Sequence, residues 1–278
     1  MESHQNMSLF SILRVQTVIQ IRECAQTCAR MALGVHPLLC NEYRGVVMKV
    51  FLALMCAVMV FAHNFVSSCY AQKTDFQSWN LVTATVNLDQ QKKWFVYGEA
   101  QPRIGDDISR LERLLLRSAV GYNVNDRLSL YLGYGWTPTF TNSSYDEDFR
   151  NENRIWQQAL YKHNLWGMQW QHRLRQEQRI IEDASATSNR TRYLLRGSYG
   201  LSCDGDVGLT GYNEIFVTEN GTHKGPVGGF DRDRFFFGPY LTSGPGRYEI
   251  GYLGEYARQF GNDSRMINSL LVSANYSF

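Results

Sequence analysis

Six alternate positions in succession, Gln169, Gln171, Arg173, Arg175, Glu177 and Arg179, are polar or charged, and Trp170, Leu174 and Ile180 lie among the positions between them. A repeat of two puts the first set on one face of a β-strand and the second on the other. An unbroken polar face of that length cannot meet hydrocarbon, so it must line an enclosed, polar interior. From Trp79 onward no 3.6-residue stripe competes with this pattern, and segments of period two recur between turn clusters. They run approximately over 79–88, 94–104, 111–123, 128–139, 153–165, 169–181, 192–201, 207–218, 234–241, 248–260 and 266–278. Each is close to the roughly 9–11 residues of a tilted membrane strand.

The connections alternate in length. Residues 123–126, 164–167, 202–206 and 242–247 are short, whereas 140–152, 182–189 and 220–230 are long and polar. A soluble β-sandwich also alternates along its strands, but it has no reason to segregate short turns to one rim and long loops to the other. The expected fold is therefore all-β: a single antiparallel, up-and-down transmembrane β-barrel of about 10 strands, with 12 as the alternative. Eleven segments are visible, yet a bacterial barrel with both termini on the periplasmic side needs an even number. The first segment is accordingly expected to pair irregularly or to occupy the lumen.

The N-terminal part reads as an address. Met48-Lys49 precedes a 13-residue apolar run from Val50 to Ala62, too short for a spanning helix of roughly 20 residues. Small residues follow, and the expected cut lies between Ala71 and Gln72, so residues 48–71 form a cleaved signal peptide and 72–278 the barrel domain. Cys69 as a lipidated N-terminus fits less well, because Val66-Ser67-Ser68 lacks the preceding leucine. Residues 1–47 are expected to be an upstream extension produced by too early a start. The spacing of Cys24 and Cys28 has no second matched pair and is a weak metal signal. After cleavage Cys203 is the one remaining cysteine, so no intramolecular disulfide holds the fold. The formal charge of +2 resides in the first 71 residues, leaving the rest balanced and arguing against a nucleic-acid partner.

Other segments carry matching polar ladders: Glu99, Gln101 and Arg103; Arg113 and Arg117; Glu152, Arg154 and Gln158; Arg192 and Arg196; Glu214; Arg232 and Arg234; Glu249 and Glu255. Arginine suits a confined interior because its planar fork binds carboxylates with two hydrogen bonds and keeps its charge. The closing segment places Leu270, Val272, Ala274, Tyr276 and Phe278 on one face, against Ser269, Leu271, Ser273, Asn275 and Ser277. Trp79, Trp94, Tyr97, Tyr122, Tyr134, Trp136, Tyr161, Trp166 and Trp170 crowd segment ends, where amphipathic rings favour lipid headgroups. Gln176 and Gln178 interrupt the outward face of the sixth segment, part of which is expected to project beyond the bilayer.

The stretches Glu152-Asn-Arg154-Ile-Trp156-Gln157-Gln158, Arg173-Leu-Arg175-Gln-Glu177-Gln-Arg179, Arg190-Thr-Arg192-Tyr193, Phe230-Asp231-Arg232-Asp233-Arg234 and the final Tyr276-Ser-Phe278 together resemble family 2490 of the domains of unknown function, outer-membrane β-barrel proteins of Gram-negative bacteria. The resemblance covers nearly the whole of 72–278. It implies a barrel in the cell outer membrane and brings no activity, substrate or cofactor. Tyr276 and Phe278 also resemble the terminal signal by which such barrels are recognised for assembly.

Three functions fit. The expectation is a narrow pore whose lumen, lined by Arg154, Arg173, Arg175, Glu177, Arg179, Arg192, Arg196, Glu214, Arg234 and Glu249, favours small anionic solutes. The alternative is a closed-lumen structural or receptor-type barrel in which those charges neutralise one another. An outer-membrane enzyme comes third. His163 and His172 flank a tight turn, His223 lies in a polar loop, and no nucleophile motif or acid–base pair accompanies them. No catalytic residue, metal site or cofactor is expected, and Asp146-Glu147-Asp148 reads as an exposed acidic loop rather than a calcium loop. Expected partners are outer-membrane lipid and lipopolysaccharide, the barrel-assembly machinery and small anions.

Overall fold

The computed structural model describes residues 74–140, 149–202, 204–223, 226–258 and 264–278. The upstream extension, the signal peptide with its cleavage site, Cys203 and the acidic run 146–148 lie outside the described residues. Thirteen strands are present among the described residues: β1 (Thr74–Asn87), β2 (Trp94–Gly105), β3 (Arg110–Asn123), β4 (Leu128–Trp136), β5 (Thr139–Phe140), β6 (Phe149–Arg150), β7 (Glu152–Leu165), β8 (Met168–Ile181), β9 (Ser188–Gly200), β10 (Val207–Thr218), β11 (Gly229–Ser243), β12 (Gly246–Arg258) and β13 (Ser264–Ser277). β5 and β6 form a small hairpin within the connection between β4 and β7. The other eleven form a closed barrel, each antiparallel to its neighbour in the chain.

The barrel closes at a parallel seam. β1 pairs with β13 in parallel from Thr74↔Met266 to Thr85↔Ser277, and antiparallel with β2 on its other edge. This corrects the expected count of 10 or 12 and the expectation that the first segment would pair irregularly or enter the lumen. An up-and-down sheet with an odd number of strands has its first and last strands pointing the same way, so only a parallel ladder can join them.

Local chemistry sets the turns on the rim where β1 ends. Trp166 and Gly167 have φ of 54° and 72°, the paired positive angles of a two-residue turn whose twist matches its strands. Asn125 Oδ1 accepts the backbone N–H of Arg127 and Leu128, each at 2.9 Å, and folds the β3–β4 turn. Two bulges modify the opposite half. Register shifts leave Glu112 unpaired opposite Arg103 and Ile104, and Asp231 unpaired opposite Phe216 and Val217. Each extra residue bends its strand and re-aims a side chain, and both are carboxylates.

The two faces separate as the alternation requires. Val82, Val120, Leu132, Ile155, Leu174, Ile215, Ile250, Leu270 and Val272 are exposed on the outer wall. Tyrosine and tryptophan gather on that wall toward the short-turn rim, where Trp94 and Tyr122 lie 4.9 Å apart and Tyr248 and Tyr276 6.0 Å. The outward polar side chains near the long-loop rim satisfy one another: Gln157 donates to Gln178 at 3.1 Å and Gln176 to Glu219 at 2.9 Å.

Candidate functional site

The interior is built from the inward-facing alternate residues of all eleven long strands, and its longest side chains are guanidiniums, carboxylates and aromatic rings. A barrel of this strand number is wider than the eight-stranded kind that ordinary side chains just fill, so long side chains are needed to reach across. Glu177 on β8 is fully buried and accepts from Arg190 at 2.5 Å and Arg192 at 2.7 Å, with Arg175 at 3.8 Å. Glu214 on β10 accepts from Arg173 and Arg192, each at 2.7 Å, and from Arg234 at 3.3 Å. Glu152 takes Arg154 at 2.8 Å and Arg179 at 2.5 Å. Glu255 takes Arg232 at 3.0 Å and Arg234 at 2.5 Å, and Asp231 takes Arg190 at 3.1 Å and Arg232 at 3.2 Å. Each carboxylate therefore bridges guanidiniums of two strands, or two positions of one strand, so the pairs form connected clusters rather than isolated ion pairs.

The structure brings eight of the ten ladder residues named from the sequence into two connected groups. Arg173, Arg175, Glu177, Arg192, Glu214 and Arg234 form the mid-barrel group. Arg154 and Arg179 share Glu152. Arg196 and Glu249 form a pair of their own toward the short-turn rim, where Arg247 also reaches Glu249, at 2.8 Å. Arg154 and Arg179 meet the mid-barrel group only through space; the carboxylates Glu152 and Glu255 belong to the ladders read from the sequence, whereas Arg190 and Asp231, which tie Glu177 to Arg232, do not. Arg190 and Asp231 were legible in principle, the first from its alternation with Arg192, the second only after the bulge in β11 is known.

Aromatic side chains fill what the charges leave. Trp79 is 1% exposed and lies beneath the Arg103 guanidinium at 3.6 Å from the ring centre and beneath Arg234 at 4.8 Å. Arg175 lies over the buried Trp156 at 4.3 Å, and Arg192 over Phe216 at 4.5 Å. Trp79 also packs with Phe236, Leu253 and Leu271 into an apolar cluster. Two expectations are corrected: Trp79 and Tyr97 are not headgroup anchors, because both point inward, Tyr97 donating to Glu99 at 2.8 Å. Trp94, Tyr134, Tyr161 and Trp166 are exposed on the outside.

The histidines lie away from this interior. His163 and His172 stack on the outer wall at 5.2 Å, with His172 Nδ1 at 2.8 Å from the Tyr193 hydroxyl. The backbone N–H of His223 donates to Ser185 in the loops. At the C-terminus Tyr276 and Phe278 stack with their rings 8° from parallel. The last residue also extends the seam, its N–H donating to Thr85 at 2.9 Å and its carbonyl accepting from Asn87 at 3.1 Å.

A family model described as a protein of unknown function, DUF2490, matches residues 76–266. An uncharacterized protein of Methylorubrum extorquens is 39% identical over 165 residues, covering 58% of this chain and 71% of that protein. Among solved structures, in-vitro folded OmpT in its trimer form, an outer membrane protein of Vibrio cholerae, aligns at TM-score 0.35 and 11% identity. That alignment covers 61% of this chain and 57% of the other, little more than half its length.

Proposed function

Because this chain belongs to the DUF2490 family, whose description carries no activity, we propose from its own geometry that it is an outer-membrane β-barrel with a closed lumen, structural or receptor-type. One observation carries the closed reading and sets it ahead of the narrow anion pore. Trp79, Trp156, Phe216, Phe236, Leu253 and Leu271 all point inward at 3% exposure or less, and Arg234, Arg175 and Arg192, stacked on three of these rings, are tied to carboxylates inside the barrel. A conducting path needs a continuous hydrated gap, and interlocked side chains of this kind favour a closed mid-barrel over one.

The membrane setting is supported by the outer wall, where aliphatic side chains face outward between aromatic groups. Outer-membrane lipid and lipopolysaccharide are then the surroundings of that wall, and the assembly machinery reads Tyr276 and Phe278. Planar-bilayer recordings of the refolded protein test the lumen. No channel steps are expected. Steady conductance with anion preference that weakens in Arg175→Glu would overturn the closed reading in favour of the pore.

A further inference from the structure

Among the described residues, the charge count inside the long-loop half of the barrel does not close. Eleven guanidiniums (103, 113, 117, 154, 173, 175, 179, 190, 192, 232 and 234) share six carboxylates, Glu99, Glu152, Glu177, Glu214, Asp231 and Glu255. Glu112, the nearest further acid, is engaged at the rim by Gln77 at 2.7 Å and Arg265 at 3.8 Å. Arginine does not shed its proton to relieve such an excess, and uncompensated charge in a dry interior is costly.

The excess converges on one place. A small, partly open void of about 20 Å³ is lined by ten residues, of which eight are arginines and none is acidic, with Leu115 and Phe216 completing the wall. Most of those arginines turn one edge to a carboxylate behind the wall. Arg103 and Arg117 are 6% and 8% exposed, each with an Nε–H that has no hydrogen-bond partner, although Arg117 pairs through its Nη1 with Glu99. Arg103 forms no ion pair among the described residues, only a hydrogen bond to Gln101 at 3.1 Å and its stack on Trp79. Arg113 donates to Thr139 at 3.1 Å and is half-buried at the long-loop end of its strand. Arg232, 18% exposed at the side chain, stands at the same end.

We propose that this void is a binding site for a phosphate group, held chiefly by Arg103, Arg113 and Arg117. Planar guanidinium forks match the oxygens of a tetrahedral oxyanion two at a time, and a divalent anion offsets the excess charge that the carboxylates leave. The void is small, and its one aromatic wall, Phe216, is already covered by Arg192 and Arg234, so the recognised unit is the phosphate itself, as free anion or as the end of a phosphomonoester lipid headgroup. The site rests on the closed-lumen reading, since interlocked neighbours are what hold the arginines in place.

Titration calorimetry on the refolded full barrel in zwitterionic detergent tests it with two probes, inorganic phosphate and phosphatidic acid in mixed micelles, at fixed ionic strength. One-to-one binding of phosphate is expected, at least about 10-fold weaker in Arg113→Gln and Arg103→Gln and unchanged in Arg247→Gln at the far rim. Binding of phosphatidic acid with no response to inorganic phosphate, and the same loss in the variants, assigns the site to a lipid headgroup. Arg103→Gln removes an uncompensated cation, so without phosphate its unfolding midpoint should stay at or above that of wild type, which separates binding from folding. Binding of neither probe by wild type up to about 10 mM, or equal affinity in wild type and both variants, overturns the site. Conductance is read separately: a barrel that conducts yet binds phosphate defeats the closed lumen alone, and a silent barrel that binds neither probe defeats the site alone.

Discussion

Replacing Glu177 by Gln tests whether the barrel is held open from within by its ion network. Glu177 is fully buried, with Arg190 Nη2 at 2.5 Å and Nε at 3.1 Å on one oxygen, Arg192 Nη1 at 2.7 Å on the other, and Arg175 at 3.8 Å. Gln keeps the shape but exchanges one acceptor oxygen for an NH2 that faces donors. Removing one partner of a buried pair costs about 3–5 kcal/mol, mostly because the other charge is stranded. Arg190 keeps Asp231 at 3.1 Å and Arg192 keeps Glu214 at 2.7 Å, which places the expected loss near the low end, about 3 kcal/mol. Urea unfolding in lipid vesicles, followed by tryptophan fluorescence, should show the midpoint falling by about 1–3 M. Glu112→Gln, whose rim pair with Arg265 spans 3.8 Å with both side chains about 30% exposed, should cost at most about 1 kcal/mol. The double variant Glu177→Gln with Arg190→Gln should be more stable than Glu177→Gln alone, since it also removes a buried cation left with one carboxylate in place of two. Equal losses in Glu177→Gln and Glu112→Gln would refute the reasoning.

Phe278→Ser should lower the yield of heat-modifiable folded barrel on gels several-fold, whereas Ser277→Ala should leave it near wild type, because only Phe278 stacks on Tyr276 on the outward face; equal yields would reject that register. Asp89, in the β1–β2 turn, accepts the backbone N–H of Trp94 at 2.7 Å and of Lys93 at 3.1 Å. The Trp94 hydrogen bond holds its carboxyl below the ordinary value of 3.8. A lowered folded-state value contributes stability above the unfolded-state value and loses it as pH falls through the folded one. Asp89→Asn should therefore lower the unfolding midpoint at pH 7 and converge with wild type well below pH 3.8, and a difference that persists there would reject the assignment.

Local pattern and long-range closure divide what could be known about this chain. The period of two, the short and long connections, and the opposite faces of 266–278 are properties of neighbouring residues, so the strands, the barrel and the inward set Arg173, Arg175, Glu177 and Arg179 were all legible in the sequence. Side-chain identity was a poorer guide to face: Trp79 looks like an interfacial ring by position, yet packs inside beneath Arg103, because a lumen this wide needs large side chains to fill it. Strand parity was hidden for a different reason. Nothing local in Thr74–Asn87 announces a parallel partner nearly two hundred positions away, and only closure of the sheet brings β13 beside it. The ion pairs follow the same logic, as Arg196 with Glu249 and Arg173 with Glu214 join strands distant in the chain. Alternation decides which residues face inward; tilt, register and the two bulges decide which of them meet, and hence where eight guanidiniums converge without a carboxylate among them.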